Sequence, residues 1–223
     1  MHRVQTCLLV GLLGGCAVAD AGETERGATA ATDVGSATAT PPVAQPAAPA
    51  VPAAGQPAAG QAVGTACGQS DATKGWFSGS FAPPAGSQLT VELYAKVHEP
   101  SYQRVDMVVG LGQGEVGDFS DLATIVRFNP DGYVDARNGG AYQASRAFRF
   151  DYDHLYAVRF VVDLATHHYD AYIRTYDTPG PGDLIADHYA FRTEQSATNQ
   201  LDTLGHEVDS ATGSLYACVQ TVQ

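Results

Sequence analysis

Basic side chains are scarce in this 223-residue chain. It carries 12 Lys and Arg against 24 Asp and Glu, a formal charge of −12, and its only lysines are Lys74 and Lys96. That shortage argues against a nucleic-acid partner, because phosphate contacts need a Lys/Arg surplus. It also argues against a polybasic patch seated on anionic lipid. Tryptophan occurs once, at Trp76. No apolar run approaches the roughly 20 residues of a spanning helix. GxSxG, HExxH and phosphate-cradling glycine loops are missing, which removes the common signatures of serine hydrolases, zinc proteases and nucleotide-binding enzymes. The 44% hydrophobic content still suffices for a packed core, and the length allows one domain with a tail or two small domains.

The chain opens MHRVQTCLLVGLLGGC. Arg3 gives a positive start, residues 7–13 are apolar except Gly11, and Gly14 and Gly15 precede Cys16. This is the layout of a secretory signal. Its end resembles the bacterial lipobox, with Gly14 where Ala or Ser is usual. The resemblance implies a leader over residues 1–15 and an acylated Cys16. The protein would then be exported and lipid-anchored to the bacterial cell envelope, at the outer membrane or cell surface, and would meet the membrane only through that anchor.

Residues 17–66 are mostly Ala, Gly, Thr and Pro, without Phe, Tyr, Trp, Leu or Ile. Such a segment buries too little apolar surface to offset its ordering entropy. Residues 16–66 therefore read as the lipidated cysteine and a disordered linker, spanning about 40 Å as coil and about 150 Å fully extended. With Cys7 in the leader and Cys16 acylated, Cys67 and Cys218 remain to pair, as two cysteines of an exported protein do. That disulfide would close one domain over residues 67–223, which holds 20 acidic and 10 basic side chains. The acidity suggests that any glycan bound is neutral rather than polyanionic, unless the arginines supply a local exception.

The domain reads as strand. Val91, Leu93, Ala95 and Val97 alternate with polar neighbours, and so do Val105, Met107, Val109 and Leu111. Further short runs lie at 122–128, 132–137, 154–163, 168–175, 184–191 and 215–219, separated by turn residues; only 194–204 hints at a helical turn. Many short strands at even spacing mean a sandwich or barrel. Asn129-Pro130-Asp131-Gly132 is a type I turn with Gly132 left-handed. Its register pairs Phe128 with Val134, Arg127 with Asp135, Val126 with Ala136 and Ile125 with Arg137. That sets apolar Val126, Phe128, Val134 and Ala136 on one face, and Arg127, Tyr133, Asp135 and Arg137 on the other. A second hairpin around Leu164-Ala165-Thr166-His167-His168 turns Tyr156, Val158, Phe160 and Val162 inward, with Tyr169, Ala171 and Ile173.

The segment HLYAVRFVVDLATHHYDAYI resembles paired strands of concanavalin A-like and laminin-G-like jelly rolls, through Tyr156, Arg159, Phe160, Asp163, Tyr169 and Tyr172. The stretch VVGLGQGEVGDFSDLATIVRFNPDGYVDARNGGAY is similar to accessory modules of secreted bacterial polysaccharide-acting enzymes. The resemblance implies an all-β jelly-roll β-sandwich of two antiparallel sheets and a non-catalytic carbohydrate-recognition module, with a polysaccharide or other glycan as partner. The alternative is a protein-interaction or cell-envelope structural domain, whose partner is an envelope or extracellular protein. Jelly-roll glucanases carry Glu-x-Asp-x-x-Glu on one strand. Here Glu207-Val208-Asp209 begins that motif, but position 212 is Thr. The acid is missing, no enzyme is expected, and the pair reads as a solvated strand end.

Sugars are held by planar polar side chains making paired hydrogen bonds, with aromatic rings against C–H faces. Arg127, Tyr133, Asp135, Arg137, Asn138 and Tyr142 supply those groups and form the candidate ligand site; a salt ladder over a solvated sheet is the plain alternative. Trp76 reads as a core residue near a strand end. No cofactor or metal site is assigned. Asp118 and Asp121 flank a loop, and Asp151 and Asp153 a turn, where oxygen ligands for Ca²⁺ could gather; loop aspartates ordinarily form turns.

Overall fold

The computed structural model describes residues 66–101 and 103–223. The expected leader, the Cys16 anchor and the linker up to residue 65 lie outside the described residues. Twelve strands follow one another: β1 (Cys67–Asp71), β2 (Phe77–Ser80), β3 (Gln88–His98), β4 (Met107–Gly112), β5 (Leu122–Phe128), β6 (Tyr133–Asn138), β7 (Ala141–Arg149), β8 (Leu155–Asp163), β9 (His168–Thr175), β10 (Asp183–Ala190), β11 (Thr203–Val208) and β12 (Ser214–Val222). They form two six-stranded antiparallel sheets, ordered β1-β12-β3-β8-β9-β10 and β2-β11-β4-β5-β6-β7. The fold is the all-β jelly-roll sandwich expected.

Strict alternation builds the core. β3 buries Leu89, Val91, Leu93, Ala95 and Val97, and β8 buries Tyr156, Val158, Phe160 and Val162. These face Met107, Val109, Leu111, Val126, Phe128 and Val134 of the second sheet within one apolar cluster. Cys67 and Cys218 are direct partners between β1 and β12 and are disulfide-bonded across 151 residues of chain.

Both expected hairpins form. β5 and β6 pair Val126–Ala136, Arg127–Asp135 and Phe128–Val134. Asn129 Oδ1 accepts from the amides of Asp131 and Tyr133 (3.0 and 3.1 Å), and Gly132 has φ +82°. The fourth expected pair, Ile125 with Arg137, lies beyond the end of this ladder. There the Tyr169 hydroxyl reaches the carbonyls of both residues (3.2 and 2.5 Å). β8 and β9 pair from Asp163–His168 to Tyr156–Thr175, with the inward set as expected.

Four strands were not anticipated: β1, β2, β7 and β11. The hint of helix at 194–204 reduces to a 3-10 turn at Thr193–Gln195, and β11 begins at Thr203. Trp76 is not part of the main core. It packs edge-on against Phe119 (5.0 Å between centroids), beside a second apolar cluster of Val108, Val116, Leu122 and Ile125.

Candidate functional site

That second cluster sits on the outer face of the β2–β7 sheet. β4 is buried on both sides, since all six of its residues are covered: Met107, Val109 and Leu111 face the main core and Val108 the outer cluster. One cross-strand row runs Glu207–Val108–Arg127–Asp135. Asp209 and Asp106 lie one step towards one end of these strands, joined by the Asp209 amide to the Asp106 carbonyl (2.8 Å). Arg137 lies a step towards the other end.

Arg127 is held on both sides. Its Nε and Nη2 donate to the two carboxylate oxygens of Asp135 (2.9 and 2.8 Å), and Nη1 stands 3.7 Å from Asp106. Asn129 Nδ2 also donates to Asp135 (2.9 Å). The Arg127 guanidinium lies 3.9 Å from the Tyr142 ring centre, and that of Arg137 5.1 Å from it. Tyr142 reaches this place because Gly139 and Gly140 close a tight turn that pairs Arg137 with Tyr142; Gly139, at φ +53°, adopts a backbone that favours glycine. Arg192 enters from the loop after β10, where its amide donates to the Ala123 carbonyl (2.9 Å) and its side chain pairs with Glu194 (2.9 Å).

Together Asp106, Val108, Phe119, Arg127, Arg137, Tyr142, Arg192 and Asp209 line a hollow of about 250 Å³. Burial raises the Asp106 carboxyl above its usual range, against the pull of Arg127 and with added repulsion from Asp209 and Asp135. Burial likewise raises the Tyr142 hydroxyl, although Arg127, Arg137 and Arg192 oppose it. Glu207 is not a solvated strand end: its Oε2 is shielded and unpartnered, and burial, with Asp209 and Asp118 nearby, raises its carboxyl.

Of the six residues expected at the site, Arg127, Arg137 and Tyr142 meet in the hollow. Asp135 stands behind Arg127 and is occupied by it, so the pair is the salt ladder. Tyr133, 43% exposed, borders a separate shallow depression with Gln143 and Ala147. Asn138 is used structurally: its Oδ1 accepts from the Ala190 amide (3.0 Å) and its Nδ2 donates to Gln143 (3.3 Å). The hollow adds Asp106, Val108, Phe119, Arg192 and Asp209, which were not expected there. Alternation about Met107 places Asp106 and Val108 outward and could have found them. Arg192 arrives from the loop after β10 and Phe119 from the 3-10 turn just before β5, and neither carries a local signal.

Asp118 and Asp121 serve their loop. Asp118 accepts from the Ser120 amide and hydroxyl (2.8 and 2.9 Å), and Asp121 from the amides of Gly117 and Asp118 (3.0 and 2.9 Å). Asp153 pairs with His98 (2.6 Å). Among the described residues, no group of three or more His, Cys, Asp or Glu side chains is placed to hold a metal ion.

No protein-family model matches the chain, and no curated protein matches it. Solved structures do resemble it. A sialidase matches over 70% of this chain at 11% identity and TM-score 0.45, and the chain spans only 15% of that protein's length. Sheep galectin-11, in complex with glycerol, matches over 66% of this chain and 94% of its own at 16% identity and TM-score 0.35. The exoplasmic/lumenal domain of VIP36 in its Ca²⁺/Man-bound form matches over 70% and 82% at 8% identity and TM-score 0.43. At TM-scores below 0.5 these likenesses carry nothing about the chemistry of the hollow, which rests on its own residues.

Proposed function

We propose that the sandwich is a non-catalytic glycan-recognition module, displayed on an exported lipoprotein and held away from the membrane by the segment before residue 67. The observation that carries this reading is the hollow itself. It combines forked arginine donors, two carboxylate acceptors and the partly apolar walls of Phe119 and Tyr142, the mixture that paired sugar hydroxyls require. The non-catalytic part is supported at position 212, where Thr212 Oγ1 donates to Glu99 (2.8 Å) and the acid of the glucanase pattern is missing. The test is a broad array of plant, algal and bacterial glycans probed with the full chain and with Arg137→Ala. Retention of specific glycans that falls in the variant supports the reading; failure to retain any glycan overturns it.

A protein-interaction role is favoured by a different surface. On the outer face of the other sheet, Tyr216 and Tyr176 are 42% and 48% exposed, and Tyr176 packs edge-on against Tyr94 (4.6 Å). Exposed tyrosines of this kind are common in protein interfaces. Crosslinking in cells that traps one specific protein partner through Tyr216, with an empty glycan array, would establish this reading instead.

A further inference from the structure

The hollow is polarised along its strands. Asp106 and Asp209 occupy one end, and Arg137 and Arg192 the other, with Arg127 between them. The three arginines are not equivalent. Arg127 is neutralised by Asp135 and Asp106, and Arg192 by Glu194. Arg137 donates its Nε to the Gly139 carbonyl (2.9 Å) and has no carboxylate within ion-pair distance among the described residues. Its Nη1 and Nη2 therefore form a half-buried cationic fork with no direct ion pair, at the wall of a hollow and beside the Tyr142 ring; Glu194, paired with Arg192, feels its charge only from further off. A guanidinium fork matches a carboxylate in shape and charge, because two parallel N–H groups meet two oxygens.

We propose that this hollow takes an acidic sugar, with the sugar's carboxylate on the Arg137 fork beside Arg192 and its hydroxyls donating to Asp106 and Asp209. The inference rests on the glycan reading and narrows its ligand to carboxylated polysaccharides. It makes the arginines of the hollow the local exception to the neutral glycan that the domain's net charge suggests. At physiological salt, charges beyond about 8 Å are largely screened, so the groups lining the hollow decide, not the total. The aspartate end opposes a second anionic group close by. A sugar with one carboxylate and several hydroxyls fits both ends, whereas a densely sulfated chain fits only one.

The test is affinity electrophoresis of the full chain in gels holding polygalacturonate, alginate or hyaluronate, each run beside its carboxyl-reduced neutral counterpart, with dextran sulfate as a polyanion control. The expected result is retardation by at least one carboxylated polymer, about tenfold stronger than by its reduced form. Arg137→Gln should abolish that difference, and Arg137→Lys, which keeps the charge without the fork, should restore it only in part. Thermal melting checks that each variant folds; if Arg137→Gln does not, Arg192→Gln replaces it. Equal retardation by a polymer and its reduced form overturns the acidic-sugar assignment and leaves glycan binding standing. Retardation by dextran sulfate as strong as by the best carboxylated polymer, unchanged in Arg137→Gln, also overturns it. Failure of all the carboxylated polymers overturns it as well, and the neutral members of the glycan array then decide the broader reading.

Discussion

The hydroxyl of Tyr169, a core residue of β9, lies 2.5 Å from the main-chain carbonyl of Arg137 on the opposite sheet and 3.2 Å from that of Ile125. It stands where the β5–β6 ladder ends, its one proton shared between two carbonyls that this ladder does not pair with each other. A residue of one sheet thus holds the backbone that carries Arg137 on the other. Burial raises the Tyr169 hydroxyl well above its ordinary range, so it remains a donor throughout the working pH range.

Tyr169→Phe should therefore act at two levels. Removing the hydroxyl that serves the Arg137 and buried Ile125 carbonyls costs about 1–3 kcal/mol, seen as a lower midpoint in denaturant unfolding. Glycan retention should also fall, although Tyr169 does not line the hollow, because the Arg137 backbone is released. Unchanged retention with lowered stability would show that Tyr169 supports the core alone.

A pH-dependent stability follows from His206. It is fully buried on β11, stacked on Phe77 (4.6 Å), with Nδ1 2.8 Å from the Ser70 hydroxyl. Desolvation lowers its pKa to about 4. Between about pH 6.5 and 4 the unfolded chain binds a proton that the native state does not, so stability falls as pH drops through that window and levels off below it. The full loss from this group is about 3 kcal/mol. His206→Gln should lose less stability between pH 7 and 4 than the native chain, measured by urea unfolding at each pH. Parallel losses would place the acid sensitivity elsewhere.

The Cys67–Cys218 bond closes 151 residues of chain, a loop long enough for roughly 4–5 kcal/mol on closure entropy alone. The paired Cys67→Ser and Cys218→Ser variant should unfold at lower denaturant with a closely similar native circular dichroism spectrum, since β12 remains paired with β3 along its length. A midpoint equal to that of the oxidised native chain would show that β1 and β12 hold the termini without the bond.

The hairpin at Asn129 was legible because every signal for it is local: a Pro–Asp–Gly turn and two alternating runs sort Arg127 from Val126 without help from the rest of the fold. The β8–β9 pair was legible for the same reason. β7 was missed because it is a mostly exposed edge strand whose Tyr142 and Phe148 are its only half-buried positions. β11 was missed because it is almost wholly buried, and Gly205 interrupts its pattern. That glycine leaves room for Val116 and Leu122, since a Cβ there would stand 2.5 Å from Val116. The site divides in the same way. Arg127, Arg137 and Tyr142 follow from strand alternation and one turn. Arg192 and Phe119 reach the hollow from loops 65 residues after and 8 residues before Arg127, and only tertiary packing brings them together. Tyr133 and Asn138 share the strand with Arg137, but Tyr133 borders a different depression and Asn138 caps the Ala190 amide.

The most direct measurement is NMR mapping on the full chain, following arginine Nε–H and backbone amide signals as an oligosaccharide retained in the glycan array is added. The expected shifts concentrate on Arg137, Arg192 and Arg127 side chains and on the amides around Tyr142 and Asp209, with saturation at one site. Shifts confined to the opposite sheet around Tyr94, Tyr176 and Tyr216, with the Arg137 signal unmoved, would contradict binding in the hollow.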